Sequence, residues 1–255
     1  MIPKVIHYCW FGGNPLPPLA LKCIESWKKY LPDYEIKEWN ENNFDVNIIP
    51  YTKEAYQAKK YAFVSDYARF WILYHYGGLY FDTDVEVIKN MDDVIERGPF
   101  MGCEKDATEA SVPNVAPGLG LGVYPGLSFY KEMLELYSTL NFRKVDGGLN
   151  LKTIVEYTTD ILVKYGLQPQ KEIQYVAEMW IYPVEYFCPI HVENNLKVMN
   201  ITPRTLTIHH FAATWKPRSS EFLSKIKWWM ASKIGGENLE KIIVMLGLRK
   251  IKNRK

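Results

Sequence analysis

The chain has 255 residues, enough for one domain with an appendage, and its net charge of +2 is too small for a nucleic-acid-binding surface spread over the whole protein. Its apolar share of 47% and charged share of 24% are those of an ordinary globular protein, and no stretch approaches the roughly 18 to 20 apolar residues of a membrane span. Four scattered cysteines, with no CxxC pair and no histidine at zinc-finger spacing, argue against a zinc module and for buried, reduced thiols in a cytoplasmic protein.

Met1 to Ile6 opens on a strand rather than on a leader peptide. Val5 to Phe11 reads as a buried strand closed by Gly12-Gly13. Pro17 and Pro18 can start a helix in which Leu19, Cys23, Trp27, Tyr30 and Leu31 recur at helical spacing. Pro32-Asp33 ends it, and Tyr34 to Trp39 reads as a second strand, the opening of an α/β sheet. Lys60 to Tyr76 is a helix apolar almost all round, expected to be buried on several sides and stopped by Gly77-Gly78. Leu79 to Val87 then reads as one central strand. Further on, Gly118 to Val123 is a strand or a loop lining a pocket, Phe129 to Leu140 an amphipathic helix, and Asp146-Gly147-Gly148 a turn. Leu206 to Trp215 reads as a strand and loop, and residues 219–255 as a basic, helical tail attached to a domain of residues 1–218.

The chemistry gathers where the long helix meets the central strand. Residues i and i+2 of a strand share a face, so Asp82 and Asp84 would present two carboxylates side by side. Such a pair repels in a low-dielectric setting, and a hard divalent cation relieves the conflict. Two aspartates capping an exposed turn are the plainer alternative. On the preceding helix, Asp66 and Arg69 lie at i and i+3 and can face each other, either as an internal ion pair or with the guanidinium turned to phosphate or sugar.

Three ordered stretches carry a resemblance: Ile2 to Gly13 at the start, Phe63-Val64-Ser65-Asp66-Tyr67-Ala68-Arg69, and Gly77-Gly78-Leu79-Tyr80-Phe81-Asp82-Thr83-Asp84. Together they resemble the bacterial capsular-polysaccharide glycosyltransferases of the sugar-binding Asp-x-Asp family, which includes yeast initiating mannosyltransferases and is similar in its core to the large glucosylating toxins. The resemblance implies a Rossmann-like GT-A fold, with a nucleotide-sugar donor at the carboxyl ends of the strands and a Mn²⁺ or Mg²⁺ ion. By position it implies that Trp10 walls the nucleotide base, that Asp66 and Arg69 hold donor-sugar hydroxyls, and that Tyr80 lines the same pocket. Asp82 would contact ribose or sugar and the metal shell, and Asp84 the metal itself. Near the C-terminal motif His209-His210-Phe211-Ala212-Ala213-Thr214-Trp215, Ala213 falls where the toxins carry serine, and His210 becomes the candidate third ligand, with a satisfied core histidine as the alternative.

The activity so implied is retaining transfer of a hexose from a nucleotide-diphosphate donor, UDP-hexose first and GDP-mannose second, to a glycan or lipid-linked glycan. Arg69 and the metal would stabilise the departing diphosphate, with Asp146 and Asn150 as acceptor-side candidates. Two rivals stand beside this. An apolar strand followed by Asp-Thr-Asp also resembles aspartate-based phosphatases, although Glu86 stands where those carry Thr or Val. The other is a non-catalytic sugar-binding scaffold. In the tail, Phe222, Leu223, Ile226, Trp229, Met230 and Ile234 share a helical face and a basic end follows. That pattern is expected to lie on the cytoplasmic face of a membrane or to pack on the catalytic domain.

Overall fold

The computed structural model describes residues 1–193 and 196–212. The tail, including Thr214-Trp215 and residues 219–255, lies outside the described residues, so the expected domain boundary and membrane helix do too. Among the described residues no helix is long and apolar enough to cross a membrane.

The opening follows the expected β-α-β order: β1 (Val5–Cys9), α1 (Pro18–Tyr30) and β2 (Glu35–Trp39), with β1 and β2 parallel. Helix α1 begins at its proline pair and buries Ala20, Cys23, Ile24 and Trp27 on one stripe. A short helix α2 (Pro50–Gln57) leads to α3 (Tyr61–Tyr76), which buries nine residues, Asp66 and Arg69 among them. At the end of α3 the backbone runs through Gly77 (φ +64°) and Gly78 (φ +101°). A Cβ on Gly78 would stand 2.6 Å from the Val5 carbonyl, so only glycine lets the next strand lie against β1.

The expected single strand from Leu79 to Val87 is instead two. Strand β3 (Gly78–Tyr80) pairs parallel with β1, and β4 (Val85–Val87) leaves that sheet to pair elsewhere. Between them Val85 N–H donates to the Asp82 carbonyl at 3.0 Å, closing a turn over Asp82-Thr83-Asp84. The two aspartates are therefore neighbours on a turn and not two rungs of a strand face.

The chain continues through α4 (Asp92–Arg97), β5 (Phe100–Lys105), β6 (Asn114–Val115), β7 (Leu121–Val123), α5 (Ser128–Ser138), α6 (Ile154–Lys164), β8 (Gln174–Val176), β9 (Met179–Tyr182) and α7 (Val184–Phe187). Helix α6 starts with a capping box in which Thr153 and Glu156 bond reciprocally. The sheet order is β2-β1-β3-β7-β5-β9-β8, with β6 beside β5. Strands β1, β3, β5 and β9 run the same way, since β7 is antiparallel to both β3 and β5 and β9 is parallel to β5. Their carboxyl ends thus share one edge. This is the α/β, Rossmann-like GT-A arrangement expected, with an apolar cluster on each face of the sheet. Strand β12 (Thr207–His209) pairs antiparallel with β4. A separate hairpin joins β10 (Ile190–Glu193) and β11 (Leu196–Met199). All four cysteines are buried.

Candidate active site

The carboxyl edge of the sheet brings the ends of β1 and β3 together, and the site grows from there. Trp10, one residue past β1, is half-buried; its backbone N–H donates to the Trp39 carbonyl and its indole Nε1 to the Asn14 carbonyl at 2.6 Å. Within the sheet, His7 is a structural clasp: Nδ1 accepts from Trp39 Nε1 at 3.0 Å, which leaves Nε2–H to donate to the Gly77 carbonyl at 3.0 Å. Burial lowers its pKa to about 4, so it stays neutral and ties β1 and β2 to the end of α3.

Arg69 is 4% exposed and organises everything around it. Its Nε donates to the Ser65 carbonyl at 3.1 Å and one terminal nitrogen to the Pro117 carbonyl at 2.7 Å and Asp82 Oδ2 at 3.3 Å. The other terminal nitrogen donates to Asp66 Oδ1 at 3.1 Å and faces Asp82 Oδ1 at 3.2 Å. Four hydrogen bonds to protein oxygens and one further close ion-pair contact thus engage the guanidinium. The expected ion pair with Asp66 is present, and in this arrangement the guanidinium's donors also hold Asp82.

Tyr80 is likewise inside the framework rather than on a pocket wall. It is buried, its hydroxyl donates to Asp82 Oδ1 at 3.3 Å, and its ring centre lies 4.8 Å from the Arg69 guanidinium carbon, a cation–π contact. One guanidinium thus serves two carboxylates. Burial pushes the Asp66 carboxyl up to about 7 and raises that of Asp82 as well, against the pull of Arg69 on both; the neighbouring Asp84 raises Asp82 further. The site holds more negative charge than its own cation neutralises.

A glycine supports this carboxylate from the far side. Asp82 N–H donates to the Gly118 carbonyl at 3.0 Å, and a Cβ on Gly118 would lie 2.0 Å from Asp82 Oδ2. The glycine-rich stretch Gly118 to Val123, expected as a strand or a loop lining a pocket, is loop up to Gly120 and strand β7 from Leu121; the contact of Gly118 with Asp82 is a tertiary fact that spacing does not carry.

Strand β12 brings in an imidazole, but not the one expected. His209 Nε2 lies 3.2 Å from Asp84 Oδ1, whereas His210 Nε2 lies 2.8 Å from Glu86 Oε2, which Lys22 also engages at 2.8 Å. Successive residues of an extended segment face opposite ways, so with His209 opposite Val85 only one of the two can meet the aspartate turn. His210 therefore ties β12 to β4 and α1. Among the described residues no group of three or more His, Cys, Asp or Glu is gathered closely enough to hold a metal ion. The donor types nevertheless suit a hard divalent cation: carboxylates of Asp82 and Asp84 from one turn, and the imidazole of His209, whose buried Nδ1 has no hydrogen-bond partner among the described residues. His209→Ala is expected to raise the Mn²⁺ concentration for half-maximal activity about tenfold or more. His210→Ala should leave that concentration within about twofold and cost at most about 1 kcal/mol from the Glu86 pair. Metal titrations of the two variants that come out the other way round would return the ligand role to His210.

The acceptor-side candidates stand outside this constellation. Asp146 accepts from Gly148 N–H in an exposed turn, and Asn150 donates to the Tyr157 hydroxyl at 3.0 Å.

Residues 17–101 match the family described as "Glycosyltransferase sugar-binding region containing DXD motif". The chain is similar to "Uncharacterized glycosyltransferase L373" of Acanthamoeba polyphaga mimivirus, at 33% identity over 205 residues, which cover 74% of this chain and 78% of that protein. It is also similar to "Inositol phosphoceramide mannosyltransferase 1" of Schizosaccharomyces pombe, at 32% identity over 111 residues; that alignment covers 39% of this chain and only 33% of the relative's length. Among solved structures, PaToxG Glycosyltransferase aligns with a TM-score of 0.47 and 19% identity, over 64% of this chain and 69% of that one. With most of the viral relative covered at that identity and the Asp-x-Asp turn placed on the carboxyl edge of the sheet, the chain belongs to the family of glycosyltransferases whose sugar-binding region contains the DXD motif.

Proposed function

We propose that the chain is a retaining, metal-dependent hexosyltransferase that moves a hexose from a nucleotide-diphosphate sugar to a hydroxyl of a glycan acceptor. The observation that carries this reading is the aspartate turn itself: Asp82 clamped by Arg69, Tyr80 and Gly118, with Asp84 beside His209. Asp82, Asp84 and His209 would hold a Mn²⁺ or Mg²⁺ ion, and the chemistry it would supply there is Lewis-acid stabilisation of the leaving diphosphate. Trp10 walls the nucleotide base at the end of β1, and Asp66 orients the donor sugar. The acceptor hydroxyl attacks C1 on the face the diphosphate leaves, the C1–O bond to the diphosphate breaks, and the hydroxyl proton passes to the departing phosphate oxygen. Arg69 acts through Asp82 by keeping the carboxylate in place.

A UDP-hexose is the first donor reading. The name of the fission-yeast relative, a mannosyltransferase acting on an inositol phosphoceramide, favours GDP-mannose as the second. A lipid-linked acceptor at the cytoplasmic face of a membrane, as in capsular-polysaccharide assembly, is supported by the amphipathic, basic sequence of residues 219–255.

The test is a thermal-shift panel of UDP-glucose, UDP-galactose and GDP-mannose with and without Mn²⁺, in wild type and Asp84→Asn. A donor at one hundred times its Kd stabilises by about 2.7 kcal/mol, so the true donor should stand out in wild type with metal. In Asp84→Asn the Mn²⁺-dependent part of the shift should vanish and transfer should fall about 100-fold or more. Full transfer by this variant in EDTA would sink the metal clamp.

A further inference from the structure

Sugar transfer needs two sugars at one edge, and the residues gathered around the aspartate turn are assigned above to the donor and its metal. They occupy the β1–β3 half of the carboxyl edge. The other half is formed by β5 and β9, and near the end of β5 stands Glu104. Its carboxylate is half-buried and makes no hydrogen bond or ion pair with any described residue. It interacts electrostatically with His209, on the Asp84 side, with Cys188, just past α7, and with the adjacent Cys103 of β5. Gly102, two residues back along β5, packs against Phe187 of α7, which puts Glu104 on that same side of the sheet.

We propose that Glu104 is an acceptor-binding residue, accepting hydrogen bonds from the hydroxyls of the incoming pyranoside; this rests on the hexosyltransferase reading above. A carboxylate drawn partly out of water without hydrogen bonds is costly, and the described residues supply none here. A diphosphate is a poor partner, because a bare carboxylate repels an anion and the cation that would bridge them is assigned above to Asp82, Asp84 and His209. Neutral hydroxyls are the groups a glycosyl acceptor offers, and a carboxylate with two oxygens can take a vicinal pair. The position also suits the reaction: Glu104 lies on the β5–β9 half of the carboxyl edge, away from Trp10, and His209, which pairs with Asp84, is near enough to act on its charge.

The experiment compares wild type with Glu104→Gln and Glu104→Asp. The probes are methyl α-D-mannoside, methyl β-D-glucoside and methyl β-D-galactoside as acceptors, with Mn²⁺ and UDP-glucose, UDP-galactose or GDP-mannose as donor. Donor Kd is read by calorimetry, acceptor KM by transfer, and Tm by melting. For Glu104→Gln we expect the acceptor KM to rise about tenfold or more, the loss of one hydrogen bond to a charged group. Donor Kd should stay within about twofold, and Tm should hold or rise because an unpaired charge has been removed. Glu104→Asp, which keeps the charge on a shorter arm, should recover part of the loss. An unchanged acceptor KM in Glu104→Gln, or a fall in Tm that weakens donor and acceptor alike, overturns the assignment, as does wild-type protein that binds a donor but transfers to none of the three glycosides. Wild-type protein that binds no donor sinks the hexosyltransferase reading instead, and the assignment falls with it.

Discussion

Arg69→Met should destabilise the protein by about 3 to 5 kcal/mol, the range for breaking a buried ion pair by removing one partner. At about 2 to 4 °C per kcal/mol for a domain of this size, the melting temperature should drop by roughly 10 °C. The reason is arithmetic of charge: Asp66 and Asp82 are both held by one guanidinium, and the methionine leaves two carboxylates facing each other without it. The Pro117 and Ser65 carbonyls lose their donor at the same time. Arg69→Lys should recover only part of the loss, because one ammonium cannot reproduce a fork that reaches four different groups. The triple variant Asp66→Leu/Arg69→Met/Asp82→Leu, which removes the whole network, should melt closer to wild type than Arg69→Met while remaining inactive. A melting curve for Arg69→Met within about 2 °C of wild type would show that the three charges are not coupled as described.

Much of this framework was legible in the sequence because it depends on local periodicity. Asp66 and Arg69 sit one turn apart on a helix whose apolar surroundings announced burial, and their ion pair measures 3.1 Å. The glycine pair after Tyr76 likewise marked the helix end where Gly77 caps it. Where the reading slipped, the deciding contact was tertiary. Asp82 and Asp84 look like a strand pair because Leu79 to Phe81 is apolar, yet the Gly118 carbonyl captures Asp82 N–H and the chain turns there. Which of two adjacent histidines meets Asp84 is set by the register of β12 on β4, and register is invisible in a His-His dipeptide. Arg69 could be read as buried but not as so widely engaged, since the Pro117 carbonyl comes from a distant loop. Glu104 gave no signal because it follows the apolar run Phe100 to Cys103 and matters only through what α7 and β12 bring beside it. Helix α6 is the opposite case: Thr153 and Glu156 spell a capping box that periodicity alone passed over.

The smallest substitution with a large expected effect is Gly118→Ala. One methyl group would have to occupy a point 2.0 Å from Asp82 Oδ2, 2.9 Å from its Cγ and 3.0 Å from an Arg69 terminal nitrogen. The loop cannot simply retreat, because the Gly118 carbonyl accepts from Asp82 N–H and the Pro117 carbonyl from Arg69. Nor can the carboxylate swing aside without leaving Arg69 and the Tyr80 hydroxyl. Overpacking of this kind costs about 1 to 3 kcal/mol, so the variant should fold with a lower melting temperature. Function should suffer more than stability, since a displacement of about 1 Å at a positioning group can cost about 100-fold in rate. We expect transfer to fall by about that factor and the Mn²⁺-dependent donor shift to shrink, while the metal-independent melting curve remains cooperative. A Gly118→Ala enzyme that keeps its donor affinity and transfers within about threefold of wild type, against the expected loss of about 100-fold, would mean that Asp82 is free to work from another position, and the clamp around it would lose its claim on catalysis.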